Sequence, residues 1–282
     1  LSSAASDVYK RQAKANGRTF VFSKKDGQLK DVSVNNRKIS FANGPRFIGA
    51  RRADRSLDQF YNHDDEKAKA KDRTYSEFTD AAVFTKLDVK EEGGNLIITA
   101  NYKLGNLDKA QWTIHPDGMA TLDYTYNFSG VVDLMGICFD YPEEQVLSKR
   151  WLGAGPYRVW QNRIHGTQYD IWENDYNDPI PGETFTYPEF KGYFGSVSWM
   201  SIRTKEGTIS LRNETPDSYI GVYQPRDGRD RLLYTLPESG ISVLNVIPPV
   251  RNKVNSTDLC GPSSQPKWVD GPQTGRLVLR FE

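Results

Sequence analysis

Metal-binding residues and long apolar runs are scarce in this sequence. It has two cysteines, Cys138 and Cys260, and three histidines. Neither a Cys-x-x-Cys pair nor a Cys/His spacing typical of zinc sites occurs, so we expect no metal and no cofactor. Each cysteine is expected to be a buried free thiol, with one long-range disulfide as the alternative in an exported protein. No apolar run approaches the roughly 18 residues that a membrane-spanning helix needs, so no membrane partner is predicted.

An excess of either charge is also lacking. Lys and Arg total 37, and Asp and Glu total 36, a balance that argues against a nucleic-acid partner. The histidines His63, His115 and His165 are scattered, and no serine or cysteine motif lies beside them, so a catalytic triad is not predicted. The glycine pair at 93–94 fits a hairpin turn and not a phosphate-binding loop.

Aromatic residues, by contrast, are abundant, at 12% of the chain. That level is typical of β-sheet cores and also of sugar-binding surfaces, and core packing is the favoured interpretation. Short alternations of apolar and polar residues, separated by turn-forming residues, predict strands. The predicted strands are 18–23, 29–34, 87–89, 95–102, 110–115, 119–128, 196–203, 208–212, 220–223, 232–236, 241–246 and 275–281.

Other stretches complete the predicted fold class. Only Glu143–Lys149 could be helical, over about two turns. The polar stretch Arg51–Arg73 is expected to be a solvated excursion between strands. The whole pattern predicts an all-β fold, a large antiparallel sandwich of two sheets.

The first residues differ in character from the rest. Ser2–Gln12 reads SSAASDVYKRQ, which is the translation that a transposase-based sequencing adapter would give. We therefore expect residues 1–12 to be a disordered artefact and residues 13–282 to form one domain. On this hypothesis the natural protein continues upstream of Ala13, and its localisation stays open, with export to the periplasm or beyond as one outcome.

The most specific motif is Trp151–Trp172, which reads WLGAGPYRVWQNRIHGTQYDIW. It resembles the signature of the last domain of family 2 β-galactosidases, W-L-G-x-G-P-x-x-x-Y-x-D-R with a Trp nine residues after the Arg. The matching positions are Trp151, Leu152, Gly153, Gly155, Pro156, Arg163 and Trp172, while Trp160 stands for the Tyr and Asn162 for the Asp. The resemblance extends over essentially Ala13–Glu282.

The motif can also be interpreted from its chemistry alone. Gly153 and Gly155 allow a close approach that a Cβ would block, and Pro156 fixes φ after the turn. Arg163 could pair with Asp170 or Glu173, or satisfy buried carbonyls at a domain contact. These roles are mainly structural.

The resemblance implies a fold and also implies which domain of the whole protein carries the catalytic residues. The fold is the supersandwich shared with galactose mutarotase-like proteins. The two catalytic glutamates of the family lie on a barrel domain that would precede Ala13, so no catalytic residue is predicted in this chain. The implied function is the C-terminal part of a retaining exo-glycoside hydrolase that walls a carbohydrate-substrate pocket and contacts the upstream barrel within the same protein.

The chain departs from the family where sugar contacts are expected. Arg51 keeps the family arginine, but Gly49 and Ala53 replace a Phe and a Pro, and the acidic pair is reduced to Asp54 and Asp58. The sugar-side Trp falls on Thr235, with Tyr234 as the nearest aromatic neighbour. The predicted substrate-pocket residues are Tyr234, Thr235, Arg51 and Asp54.

Three alternatives remain open from the sequence. The acidic residues Asp170, Glu173, Asp175 and Asp178 surround Trp172, and a solvated acidic loop is favoured there over a catalytic pair or a calcium site. The chain could instead be a free-standing carbohydrate-binding module. It could also be a mutarotase-like aldose epimerase, which the fold analogy by itself does not establish.

Overall fold

The predicted alternation of apolar and polar residues corresponds to strands of two large sheets. A computed structural model describes residues 9–52, 75–78, 80–176, 191–223, 236–249 and 261–282, together with the backbone of residues 2–7. Within these ranges the strands β1 to β11 are Ser2–Asp7, Lys10–Ala15, Arg18–Ser23, Leu29–Val34, Arg37–Ile39, Ala42–Arg52, Tyr75–Glu77, Val83–Glu92, Asn95–Lys103, Leu107–Ile114 and Ala120–Asn127. Strands β12 to β22 are Gly130–Val132, Leu134–Asp140, Val146–Gly155, Gln168–Asp175, Phe194–Gly195, Trp199–Thr204, Thr208–Asn213, Tyr219–Val222, Ile241–Val246, Lys267–Val269 and Pro272–Phe281.

These strands form two large antiparallel sheets and one small one. The first sheet has the order β1-β2-β3-β4-β6-β13-β20-β19-β16, with β5 paired to β4 and β7 to β6. The second sheet has the order β15-β14-β17-β18-β22-β11-β10-β9-β8, and β12 pairs with β21 apart from both. The all-β, two-sheet architecture predicted from the sequence is confirmed.

The main core lies between the two large sheets and is rich in aromatic rings. Phe20 meets Phe281 edge to face at 6.0 Å between ring centroids, and Phe41 stacks on Phe139 at 4.6 Å. In β11 buried side chains alternate strictly with half-buried or exposed ones, and Tyr126 points inward as the period-two pattern predicts. Burying one such large side chain contributes about 1.5–3 kcal/mol, so these contacts hold the sheets together.

Residues 1–12 are the first place where structure and expectation differ. The backbone of β1 pairs with β2, and β2 pairs with β3 from Lys10↔Ser23 to Ala15↔Arg18. The sequence predicts disorder for residues 1–12, yet most of this segment is in strand conformation. The physical reason is that β3 would otherwise expose a row of unpaired backbone groups, and edge pairing depends little on side-chain identity. The adapter origin of the segment stays a prediction.

The predicted short helix is a second difference. Within the predicted stretch only Glu143–Gln145 is helical, as a single 3-10 turn, and Val146 already begins β14; a second 3-10 turn spans Pro262–Ser264. The cause is that Val146 and Ser148 are buried by the strand, with exposed Leu147 between them, and this period-two pattern opposes a helix.

Other predictions have mixed outcomes. Leu236 is described but is not in a strand, and 232–235 lie outside the described residues. The first two residues of the predicted excursion, Arg51 and Arg52, belong to β6 and correct that prediction, because they pair with β7; residues 53–73 lie outside the described residues. Cys138 is a buried free thiol, as predicted, and Cys260 is outside the described ranges.

No helix in the described part of the chain is long and apolar enough to cross a membrane.

Candidate functional site

The W-L-G motif forms two neighbouring strands at one edge of the second sheet. β14 pairs with β15, and Trp151 lies directly opposite Trp172. The acidic residues expected in a surface loop are therefore placed differently, because Asp170, Glu173 and Asp175 lie in β15. The inward-facing Trp172 and Asn174 alternate with outward-facing side chains, which is what makes this segment a strand. Asp178 lies outside the described residues.

The two glycines of the motif mark close contacts. A Cβ on Gly153 would lie 3.0 Å from the carbonyl oxygen of Gly195, which belongs to β16 of the first sheet. A Cβ on Gly155 would lie 2.4 Å from Cδ1 of Trp172. Gly153 thus lets the edges of the two sheets approach each other, and Gly155 makes room for an indole ring.

Trp151 ties the second sheet to the first. It is fully buried, and its indole meets the ring of Phe194 edge to face at 4.8 Å between centroids. Its Nε1 donates a hydrogen bond of 3.0 Å to the carbonyl oxygen of Ala154. Because Phe194 belongs to β16, this pair spans the two sheets at the edge where the motif lies.

A buried lysine lies beside this contact and was not singled out from the sequence. The Lys149 side chain is buried, and its Nζ donates a 3.3 Å hydrogen bond to the carbonyl oxygen of Asp175. The ammonium also lies 5.2 Å from the centroid of the Tyr176 ring, a cation–π geometry. The sequence could have indicated it, because Lys149 lies at the same period-two positions of β14 as the apolar Trp151.

Beyond Gly155 the motif crosses to the opposite face of the first sheet. Trp160 is buried there and meets Tyr193 edge to face at 5.7 Å. Val159 and Tyr193 exchange backbone hydrogen bonds of 2.8 Å. The motif therefore joins the interior of the sandwich to a second apolar cluster outside it.

We call this second group the outer cluster. Its members lie on the face of the first sheet that points away from the second sheet, since along β6 and β13 they alternate with residues of the main core. They are Ile48, Ala50, Tyr75, Leu134, Cys138, Val159, Trp160, Tyr193, Leu236, Leu244 and Ile247.

Four segments that the structure does not describe begin or end close to outer-cluster residues along the chain. Ala50 and Tyr75 flank 53–74, Tyr193 follows 177–190, Leu236 directly follows 224–235, and Ile247 precedes 250–260. The outer cluster is thus a packed floor, and several of its residues are neighbours in sequence of segments that lie outside the described residues. Rigid scaffolds with variable segments above them are the usual place for binding residues.

Of the four predicted substrate-pocket residues, only Arg51 is among the described residues. It is exposed near the end of β6, opposite Ser76. The backbone N–H of the next residue, Arg52, donates a 2.9 Å hydrogen bond to Oδ2 of the buried Asp133. Asp54, Tyr234 and Thr235 lie outside the described residues, but Ala50 and Leu236, which flank their segments, share the outer cluster.

The middle of the motif forms a turn that is held by hydrogen bonds to backbone carbonyls. The N–H of Arg163 donates to the carbonyl oxygen of Trp160 at 2.9 Å, and the side-chain amide of Gln161 donates to the carbonyl oxygens of Ser263 and Gln265 at 2.8 and 2.7 Å. The Arg163 side chain is exposed, and among the described residues no ion pair joins it to Asp170 or Glu173, contrary to one of the predicted roles. The backbone satisfies this turn, so the guanidinium is not needed for it.

Two titratable groups of the outer cluster, Cys138 and Tyr193, have pKa values raised by burial. Burial raises the pKa of the Cys138 thiol to about 11, although the nearby Arg46 guanidinium opposes the shift. Burial raises the pKa of the Tyr193 phenol well above its ordinary value, and Tyr75 adds to the shift. Neither group supplies a nucleophile readily, so this floor provides packing and shape. In the described part of the chain, no group of three or more His, Cys, Asp or Glu could hold a metal ion.

The comparisons with known proteins place the chain in a family. The fold and the motif define a large two-sheet β-sandwich, and the sequence model described as the β-galactosidase small chain matches residues 14–246. The chain belongs to the β-galactosidase small chain family. A comparison with curated protein sequences gave no match.

Several solved structures are similar in fold. Galactose 1-epimerase from Lactobacillus acidophilus NCFM is 9% identical with a TM-score of 0.49, and the match covers 97% of this chain and 94% of that one. A galactose mutarotase-like protein from Lactobacillus casei ATCC 334 is 11% identical with a TM-score of 0.41 and coverages of 97% and 100%. The α-N-acetylgalactosaminidase NagBb from Bifidobacterium bifidum is 13% identical with a TM-score of 0.45 and coverages of 96% and 36%.

Proposed function

We propose that this chain is the non-catalytic C-terminal sandwich domain of a retaining exo-glycoside hydrolase of the β-galactosidase type. In this role it buttresses an upstream catalytic barrel and walls one side of the sugar pocket. The observation that carries the proposal is the family match over residues 14–246, which includes the W-L-G motif. The motif residues Trp151, Gly155 and Trp172 are packed together as a rigid scaffold, as a buttress requires.

The outer cluster supports the wall function. Arg51 is exposed beside it, and the segments that carry Asp54, Tyr234 and Thr235 adjoin residues of the same cluster along the chain. A sugar pocket needs a few polar and aromatic groups held on a firm base. The packed outer cluster, beside which Arg51 is exposed, is such a base.

The chemistry of the floor supports a non-catalytic role. Retaining hydrolysis uses two carboxyl groups about 5–5.5 Å apart, one as nucleophile and one as acid and base. The outer cluster instead offers a thiol and a phenol whose pKa values are raised by burial. On this proposal the two carboxylates belong to the upstream barrel.

The first test is the gene upstream of the codon for Ala13, read from the source DNA. We expect an open frame that encodes a barrel with two glutamates at its strand ends. An unrelated upstream domain would overturn the proposal. The isolated chain should also release no p-nitrophenol from p-nitrophenyl β-galactoside above the buffer rate.

The second test uses the full-length enzyme. Arg51→Ala should raise KM for the β-galactoside while leaving the urea midpoint unchanged, because Arg51 is exposed. The matched control is Arg150→Ala, an exposed arginine in β14 of the other sheet, which should change neither quantity. An unchanged KM in Arg51→Ala would remove Arg51 from the pocket.

Two assays on the isolated chain distinguish the two alternative functions, an aldose epimerase and a carbohydrate-binding module. Acceleration of the mutarotation of fresh α-galactose or α-glucose by the isolated chain, followed by polarimetry, would identify an aldose epimerase. Glycan binding by the chain, combined with an upstream domain that is not a glycosidase barrel, would identify a carbohydrate-binding module.

A further inference from the structure

The first sheet is interrupted beside β6, and a cavity lies in the gap. On the edge of β6 opposite β13, Gly44 pairs with β4, and strand pairing resumes only at Ala50, with β7. Arg46 and Phe47 lie between these two contacts and line a cavity of about 530 Å³. The turn between β3 and β4, the residues that follow β7 and parts of β8, β9 and β10 complete its walls.

Three half-buried aromatic side chains line this cavity, namely Phe78, Phe84 and Tyr102. Phe78 stacks on Phe128 with 5.4 Å between ring centroids, and Phe84 meets Tyr102 edge to face at 5.9 Å. The Tyr102 hydroxyl donates a 2.8 Å hydrogen bond to the backbone carbonyl oxygen of Asp26. Because a neighbour holds each ring, the cavity has fixed aromatic walls, and the π faces of such rings attract cations.

A carboxylate, Asp80, is held in the wall beside these rings. Its Oδ1 accepts hydrogen bonds from the backbone N–H groups of Ala82 at 3.0 Å and Asn106 at 2.7 Å. Burial raises the pKa of the Tyr102 phenol, and the negative charges of Asp26 and Asp80 add to the shift, so both carboxylates lie close to this ring. Within the described ranges, no Lys or Arg forms an ion pair with Asp80.

The charges of the lining leave an excess of one negative charge. Asp26 forms an ion pair with Lys30 at 2.8 Å, and Arg46 forms one with Asp140 at 2.7 Å. The exposed Lys25 already has a cation–π contact, 4.4 Å from the centroid of a ring outside the lining. Such a cavity attracts cations and repels anions. The lining contains three carboxylates and two cations, which are Asp26, Glu77 and Asp80 against Lys25 and Arg46.

We propose that this cavity binds a small organic cation, either a protonated or a quaternary amine. The aromatic rings contact the apolar part of the ligand and attract its charge, and the Asp80 carboxylate supplies the opposite charge. Several aromatic rings around one site are a known means of recognising ammonium groups. The volume lies within the range of small-molecule sites. This inference goes beyond the proposed function, because it requires neither an upstream barrel nor Arg51.

The test is isothermal titration of the purified chain at pH 6 and low salt with two pairs of ligands, each matched in shape. Choline is compared with the neutral alcohol in which a carbon atom replaces its nitrogen, and galactosamine is compared with galactose. We expect at least one of the two cations to bind about tenfold more tightly than its neutral counterpart. The pair that shows this difference identifies the ligand as a quaternary amine or as an amino sugar.

Substitutions locate the site. Asp80→Asn keeps an oxygen that can accept the two backbone hydrogen bonds but removes the charge, so it should weaken binding of the cation by about tenfold. The matched control is Asp88→Asn, an exposed residue of β8 that pairs with Lys86 and does not line the cavity, and it should have little effect. Phe78→Leu keeps an apolar side chain without the π face and should weaken binding by about threefold. Circular dichroism and urea midpoints check that the variants fold.

Three outcomes would overturn the inference. They are failure of both cations to bind at up to about 50 mM, equal binding of each cation and its neutral counterpart, and equal responses of the Asp80 and Asp88 variants. The ligand comparison uses the unaltered chain, so it decides the matter even where a variant does not fold. None of these outcomes bears on the upstream barrel, so failure here and failure of the hydrolase proposal are distinguishable.

Discussion

Gly155 and Trp172 form a matched pair across two strands. Trp172 is half-buried in β15, and its Nε1 donates a 3.3 Å hydrogen bond to the carbonyl oxygen of Gln168. The indole covers Gly155 so closely that a Cβ there would lie 2.4 Å from Cδ1 and 2.5 Å from Nε1. The spacing of the motif is thus explained by contact, because these positions meet only when β14 and β15 pair in this register.

Gly155→Ala should destabilise the protein by about 1–3 kcal/mol, the usual cost of overpacking a filled site. Urea denaturation followed by tryptophan fluorescence measures the change. Adding Trp172→Ala should relieve the clash, so the double variant should lose less than the two single losses combined. The control is Gly261→Ala, where a Cβ would meet no atom within 4 Å. If the loss of stability in the double variant equals the sum of the two single losses, the proposed contact between Gly155 and Trp172 is contradicted.

Trp151→Ala should cost about 3–5 kcal/mol, since it empties a fully buried site that joins the two sheets. Trp268→Ala is the comparison, because Trp268 is 71% exposed in β21 and should change stability by less than about 0.5 kcal/mol. Thermal unfolding by circular dichroism gives both values. Similar losses for the two variants would show that burial at Trp151 is not what stabilises the sandwich.

Glu206 is expected to clamp the two sheets together. Its carboxylate accepts hydrogen bonds from the Ser40 amide at 2.8 Å, the Ser40 hydroxyl at 2.6 Å and the Tyr141 hydroxyl at 3.0 Å. Glu206→Ala leaves these donors without their acceptor and should cost about 1–3 kcal/mol in urea denaturation. Glu144→Ala, at an exposed glutamate, should be close to neutral. Equal effects in the two variants would contradict the clamp.

The Cys138 thiol should be unreactive in the folded protein. In a Cys260→Ser background, Ellman's reagent at pH 8 should label Cys138 only slowly, and at the rate of a free thiol once urea is added. The reason is burial, which raises the thiol pKa from 9.0 to about 11. Rapid labelling without urea would show that the site is open.

The raised pKa of the Cys138 thiol also predicts how the stability of the protein depends on pH. A raised folded pKa favours the native state below pH 9, and this contribution is lost as pH rises from about 9 to about 11. The stability difference between the Cys260→Ser protein and its Cys138→Ala derivative should therefore shrink over that range by on the order of 1–3 kcal/mol. Urea midpoints at pH 8, 9, 10 and 11 measure it, and a constant difference would contradict the shift.

The strands were predicted best where alternation is strict and turn residues are clear. The predicted ranges 18–23, 29–34 and 241–246 coincide with β3, β4 and β20. The strand β13 was not predicted, because both of its faces are covered and its residues form a continuous apolar run without alternation. The sequence predicts an acidic loop at β15, because most of its side chains are exposed and three of them are carboxylates; the alternation of inward Trp172 and Asn174 is defined only by the pairing with β14.

The sequence by itself determined the all-β class, the family motif and the scarcity of metal-binding residues, because these depend on composition, period-two patterning and spacing along the chain. Only the tertiary structure decided that Gly155 faces Trp172, that Ala50 and Leu236 share one cluster, and that Phe47, Asp80 and Tyr102 line one cavity. The physical reason is strand pairing. Contacts between antiparallel strands far apart in sequence are set by register and sheet order, which no local pattern of residues encodes.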